Sequence, residues 1–155
     1  MKTGAVVLVL GLAIATLGCA SAGQMPADLL PPEIDMVQFG DYSFSLQYAG
    51  PTSILFEVAI TNKSSEMITI RQLKLASVGT GAYVLRRDPH FLNKDIPPGE
   101  TLVTRINVPA YAQGGATGSR EPVTVRGTAY FDSEYGPFQR VFLSNFVQGG
   151  GPARD

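Results

Sequence analysis

Two-residue periodicity, repeated from one turn signal to the next, is the strongest constraint on what this chain can fold into. Tyr42, Phe44, Leu46 and Tyr48 alternate with Ser43, Ser45 and Gln47. Ile54, Phe56, Val58 and Ile60 then alternate with Leu55, Glu57, Ala59 and Thr61. A strand places successive side chains on opposite faces, so this pattern predicts strands with one face turned to a core. The second run is apolar enough on both faces to be central in its sheet. No stretch after the N-terminal segment carries a convincing 3.6-residue period.

The breaks between runs are turn chemistry. Gly50-Pro51-Thr52, Asn62-Lys63-Ser64-Ser65 and Gly79-Thr80-Gly81 each interrupt an apolar run, and Asp88-Pro89 and Ile96-Pro97-Pro98-Gly99-Glu100 bracket what reads as a loop. One run changes phase: Ile68 and Ile70 are out of step with Leu73 and Leu75. A one-residue slip turns every side chain to the other face, so a bulge near Arg71-Gln72 is predicted. Ala82 to Leu85 reads as a short strand and Leu102 to Val108 as another, ended by Pro109. Tyr111 to Arg120 reads as a Gly-rich loop. Val123 to Asp132 and Phe138 to Val147 form a hairpin about Ser133-Glu134-Tyr135-Gly136-Pro137. About seven short strands punctuated in this way predict an all-β sandwich of the immunoglobulin or fibronectin-III kind over 41–147.

The N-terminus has a different character. Lys2 precedes a run from Ala5 to Leu17, interrupted only by Gly11 and Thr16, and the run ends on Gly18-Cys19-Ala20-Ser21. A positive start, a short apolar segment and small residues at its end are the layout of a secretory signal. The run is about 13 residues long, and a bilayer-spanning helix needs about 20, so a removed signal is expected instead of a permanent span. The segment resembles a bacterial lipoprotein signal over 1–18. That resemblance implies that Cys19, the single cysteine, becomes the acylated first residue of the mature chain, as its lipidation site. Ala20 after the cysteine implies, by the same resemblance, the outer membrane, on the periplasmic side. Cleavage after Ala20 or Ala22 would instead leave Cys19 in the discarded part.

Residues 19–40 are rich in Ala, Pro and small polar residues and read as a flexible tether. Residues 148–155 read as a disordered tail by composition. The chain carries 12 Lys and Arg against 13 Asp and Glu, a formal net charge of −1, and no run of like charge exceeds Arg86-Arg87. That balance excludes an electrostatic nucleic-acid binder and argues against a polybasic membrane patch. The expected partners are the membrane, through the lipid on Cys19, and other envelope proteins.

Phe56 to Asn62 runs into a polar turn and then Ile70 to Leu75. Ile96-Pro97-Pro98-Gly99-Glu100 precedes Leu102 to Val108, and Val125-Arg126-Gly127-Thr128-Ala129 comes later. This order resembles the WHy domain of type-2 late-embryogenesis-abundant proteins, over roughly 53–142. The family motif Asn-Pro-Asn is here Asn62-Lys63-Ser64. The resemblance implies a fibronectin-III-like sandwich with a non-catalytic role in desiccation or envelope stress.

Candidate chemistry is sparse. His90 is the single histidine and reads as a solvated loop residue. Asp88 and Asp95 are near it, but no Gly-x-Ser-x-Gly nucleophile motif accompanies them. One Cys and one His cannot build a zinc site. Asp132-Ser133-Glu134 is the best candidate for calcium, and turn geometry is the simpler reading. Glu57, Glu100, Glu121 and Asp132 are the acids available for a glycosidase pair, with no spacing that joins any two. Gly79-Thr80-Gly81 and Gly114-Gly115 lack the Lys-Ser/Thr of a phosphate loop. Tyr130, Tyr135 and Phe138 could form an aromatic contact surface. The chain is therefore expected to be a non-enzymatic envelope lipoprotein without cofactor or metal. A lipid carrier and an accessory subunit docking by edge-strand addition are the alternatives.

Overall fold

The run from Ile54 to Ile60 builds a strand because every second residue can be withdrawn from water while the rest stay at the surface. In the computed structural model, which describes residues 29–40, 46–115 and 120–147, Ile54, Phe56, Val58 and Ile60 are all fully buried. They lie on β2 (Gly50–Thr61), which sits between β1 (Glu33–Gln38) and β6 (Thr101–Ala112), with the short β4 (Tyr83–Leu85) beyond β6. The second sheet has the order β5 (Pro89–Ile96), β3 (Ile68–Val78), β7 (Val123–Ser133) and β8 (Gly136–Phe146). All pairings are antiparallel. The architecture is thus a β-sandwich of two four-stranded sheets, with eight strands where about seven are expected, and β2 is central as its two-sided apolar character requires.

The phase change in the third run is a bulge. Opposite β7, Ile70 pairs with Phe131 and Gln72 with Tyr130, so Arg71 is the extra residue. The bulge returns Leu73 and Leu75 to the buried face. Opposite β5 the register also shifts there, and Asn93 takes a left-handed φ of 48°.

Three expectations are corrected. The segment read as tether contains β1, and Leu29 and Pro32 ahead of it are buried. An edge strand that buries only Met36 has too little apolar signal to stand out after Pro31-Pro32. Leu46 to Ala49 form a turn and bends, not the end of a strand; Tyr42 and Phe44 lie outside the described residues, as do 1–28 and 148–155. Pro109 does not end its strand. It pairs with Ser53 inside β6, and its carbonyl accepts from the Arg86 N–H at 2.8 Å. Its missing donor therefore faces β4, not β2, and β4 stops at Leu85, where a reciprocal bond would be required.

The interior is apolar and contributed by both sheets. Phe56 from the first sheet meets Phe146 from the second, with ring centroids 5.3 Å apart at 50°. Phe131 stacks on Phe138 at 5.1 Å. Tyr83 is fully buried, and its hydroxyl is 2.8 Å from Gln38 Oε1. Gly127 lies beneath the ring of its cross-strand partner Phe142, and any Cβ there would overlap the ring.

Asn62 and Ser64 are the buried polar residues among those described. Asn62 Nδ2 donates to the carbonyls of Glu66 (2.7 Å) and Ile96 (2.9 Å). Its Oδ1 accepts from the Ser64 N–H (3.0 Å) and Oγ (2.7 Å). Its backbone N–H donates to Glu100 O, and its carbonyl accepts from Gly99 N–H. One residue thereby ties the β2–β3 turn to the end of β5 through its side chain and to the β5–β6 turn through its backbone.

The sheet edges are interrupted. β1 is short and follows two prolines, and β4 has three residues. On β5 and β8, Lys94 and Arg140 occupy the row of inward-facing positions, opposite Ile70 and Ala129, yet both are exposed. A cation in an inward row of an edge strand opposes the addition of another strand.

Candidate functional site

The β2–β3 and β7–β8 turns bound an open recess of ≈ 340 Å³ lined by Glu66, Met67, Thr69, Asp132, Ser133 and Glu134. Two of the three residues proposed for calcium are already engaged. Asp132 Oδ2 accepts from Arg71 Nε at 2.6 Å, and Ser133 Oγ donates to Gly136 O at 3.0 Å to close the hairpin turn. Among the described residues no group of three or more His, Cys, Asp or Glu is placed to hold a metal ion. The other acids are dispersed. Glu57 pairs with Arg105 at 2.9 Å on the outer face of the first sheet, Glu100 lies in the β5–β6 turn, and Glu121 precedes β7 at the opposite end.

His90 is not a loop residue. It lies on β5 opposite Leu73, half-buried, because an edge strand tolerates Pro89 at its start. Its Nε2 is buried without a hydrogen-bond partner. Burial holds its pKa below the usual 6.5, and the nearby Asp88 carboxylate opposes that shift in part. Asp88 itself pairs with Arg86 at 3.1 Å. Because the unfolded chain takes up the His90 proton first, this contribution to stability is complete above about pH 6.5 and declines as pH falls through that value. Thermal melts are expected to show that loss, and a His90→Gln chain should be flatter over the same window.

The expected aromatic surface divides. Phe138 is core, whereas Tyr135 is exposed and Tyr130 is half-buried beneath the Lys74 ammonium, 5.0 Å from its ring centroid. Arg86-Arg87 follows β4 and is exposed. Gly79-Thr80-Gly81 and Gly114-Gly115 connect strands. Cys19 lies outside the described residues.

The two outer faces differ in charge, which composition conceals. On the first sheet the outward rows hold Glu33, Asp35 and Glu57; Lys63 from the β2–β3 turn pairs with Glu33 at 2.8 Å, and Arg105 pairs with Glu57 and covers the Phe39 ring at 4.2 Å. On the second sheet Lys74 and Arg126 point outward, and of the two outward acids Asp132 is held by Arg71 while Asp95 accepts from the Thr69 hydroxyl at 2.7 Å. The alternation of β3, β5, β7 and β8 gives each residue a face. Only the register gives it neighbours.

Neither a protein-family profile nor a curated protein matches the sequence. Among solved structures, a Bordetella pertussis protein assigned as ApaA superposes with a TM-score of 0.55 at 18% identity, over 81% of this chain and 100% of that one. A protein from Archaeoglobus fulgidus aligns over 79% of this chain and 98% of its own, with a TM-score of 0.47 and 12% identity. A FixG-related protein from Vibrio parahaemolyticus aligns over 79% and 100%, with a TM-score of 0.39 and 11% identity. At these identities the likeness to the Bordetella protein is one of fold, and it places the chain among β-sandwiches.

Proposed function

We propose that this chain is a non-enzymatic envelope lipoprotein, exported and acylated on Cys19, whose sandwich is of the immunoglobulin or fibronectin-III kind and serves protein binding or stress protection. The observation that carries the reading is the N-terminal layout: Lys2, the apolar run from Ala5 to Leu17, and Gly18-Cys19-Ala20-Ser21. The position of the domain supports it. Leu29 is already packed in the core, so the sandwich begins about ten residues after Cys19, within about 35 Å of an acyl anchor. The place of β2 between β1 and β6, facing β3, β7 and β8, is compatible with the fibronectin-III-like sandwich that the WHy resemblance implies. Outer-membrane placement facing the periplasm follows from Ala20 by resemblance.

The test is the fate of Cys19. In cells, the native chain should fractionate with membranes and incorporate labelled fatty acid. A Cys19→Ala chain should incorporate none, while its sandwich keeps the far-ultraviolet and thermal behaviour of the native one. Full incorporation of label by the Cys19→Ala chain would refute the assignment. A broad esterase, glycosidase and peptidase panel should find no activity in the purified chain, and reproducible turnover that survived repurification would overturn the non-enzymatic reading.

A further inference from the structure

We propose that the outer face of the β5-β3-β7-β8 sheet lies against an acidic phospholipid surface. The proposal rests on the anchored placement argued above and adds which face the membrane meets. Three rows of the face are set by register: Phe91-Gln72-Tyr130-Gln139, Pro89-Lys74-Thr128-Val141, and Ala76-Arg126-Leu143. Phe91 is 70% exposed, Leu143 64% and Val141 40%. These apolar side chains stand beside Lys74 and Arg126, and Lys94 and Arg140 are exposed on the two flanking edges. Apolar side chains interleaved with cations are the composition that settles into the headgroup boundary of an acidic bilayer.

Charge complementarity separates this face from the opposite one. Val37, Val103 and Tyr111 also give the first sheet exposed apolar area. That face carries Glu33, Asp35 and Glu57 against Arg105 and against Lys63, which pairs with Glu33 at 2.8 Å, and the acidic excess that remains is repelled by an acidic surface. The chain outside the described sandwich supplies the second argument. About ten residues join Cys19 to the buried Leu29, and they can extend to no more than about 35 Å, so the domain is held where a side-on contact is reachable. A net charge of −1 does not oppose the contact, because on this face Lys74, Arg126 and Arg71 stand against the two acids Asp95 and Asp132. Each cation near such a surface raises partitioning roughly five-fold.

The chain contains no tryptophan, so a Phe91→Trp substitution installs a single reporter on this face and Val103→Trp one on the opposite face. Each full-length chain is reconstituted into vesicles of phosphatidylglycerol and phosphatidylcholine with brominated acyl chains, and into vesicles of phosphatidylcholine alone. In the acidic vesicles, the Phe91→Trp emission should shift to the blue and be quenched by bromine, with Val103→Trp little affected. High salt, or Lys74→Gln with Arg126→Gln in the Phe91→Trp chain, should abolish most of the quenching. Equal quenching of the two reporters would overturn the proposal, as would an unquenched Phe91→Trp on a chain that floats with its vesicles. A blue shift already present before vesicles are added would assign the face to a second copy and overturn the lipid assignment. Failure of the chain to float with either vesicle would refute the anchored placement itself, and this proposal with it.

Discussion

An Asn62→Ala chain is expected to lose about 3 kcal/mol of unfolding free energy, read as a drop of about 10 °C in the midpoint of thermal unfolding. The magnitude follows from what the alanine leaves behind. The Ile96 carbonyl and the Ser64 N–H each lose the partner they have in the folded chain, and the Glu66 carbonyl keeps only Ser64 Oγ at 2.9 Å. Buried groups without a partner cost about 1–3 kcal/mol each, more than the net worth of the bonds themselves. Asn62→Asp separates shape from chemistry. The carboxylate can still accept from Ser64, but it confronts the Glu66 and Ile96 carbonyls with negative charge, so the loss should match or exceed that of alanine. A Ser64→Ala chain removes one donor to Oδ1 and should cost less. Denaturant melts check all three, and an Asn62→Ala chain within about 0.5 kcal/mol of the native one would contradict the network's structural role.

The second large effect is in the core. Phe56→Ala should cost about 3–5 kcal/mol, the usual penalty for emptying a fully buried aromatic site. Phe56 has no exposed surface, and its ring packs on Phe146 across the two sheets. The cavity should persist, because β2 is hydrogen-bonded on both sides without a break in register from Gly50 to Thr61 on the β6 side. A domain of this size has on the order of 5–15 kcal/mol in total, so this one change should consume a large part of it. Phe146 lies at the end of an edge strand, where the backbone can close inward, and Phe146→Ala should therefore cost less than Phe56→Ala. Equilibrium urea unfolding gives both values, and the reverse order would contradict this account of the core.

Local pattern carried most of the strands. β2 and β7 are legible because one face is fully withdrawn from water, and the Arg71 bulge is legible because a phase slip between Ile70 and Leu73 has few other causes. What escaped reading depended on partners distant in sequence. β1 buries a single side chain, Met36, and is a strand because β2 offers an edge to it. Pro109 stays inside β6 because of which neighbour its nitrogen faces, and no local signal states that. His90 joins a strand for a similar reason. The candidate acids are dispersed over the fold, and the basic outer face was invisible in the sequence. Lys74 and Arg126 lie 52 positions apart in the sequence and become neighbours on one face only through the pairing of β3 with β7.

The guarded edges bear on how densely such a domain can be packed. Chains confined to a bilayer plane meet one another at effective concentrations that can reach the order of millimolar, where bare sheet edges would recruit each other into growing ribbons. Here Pro31-Pro32, the truncated β4, the left-handed Asn93 with Lys94, and Arg140 deny each edge a clean template. Under the anchored placement proposed above, a layer of these domains would therefore grow denser as copies are added and still remain a two-dimensional fluid of separate particles.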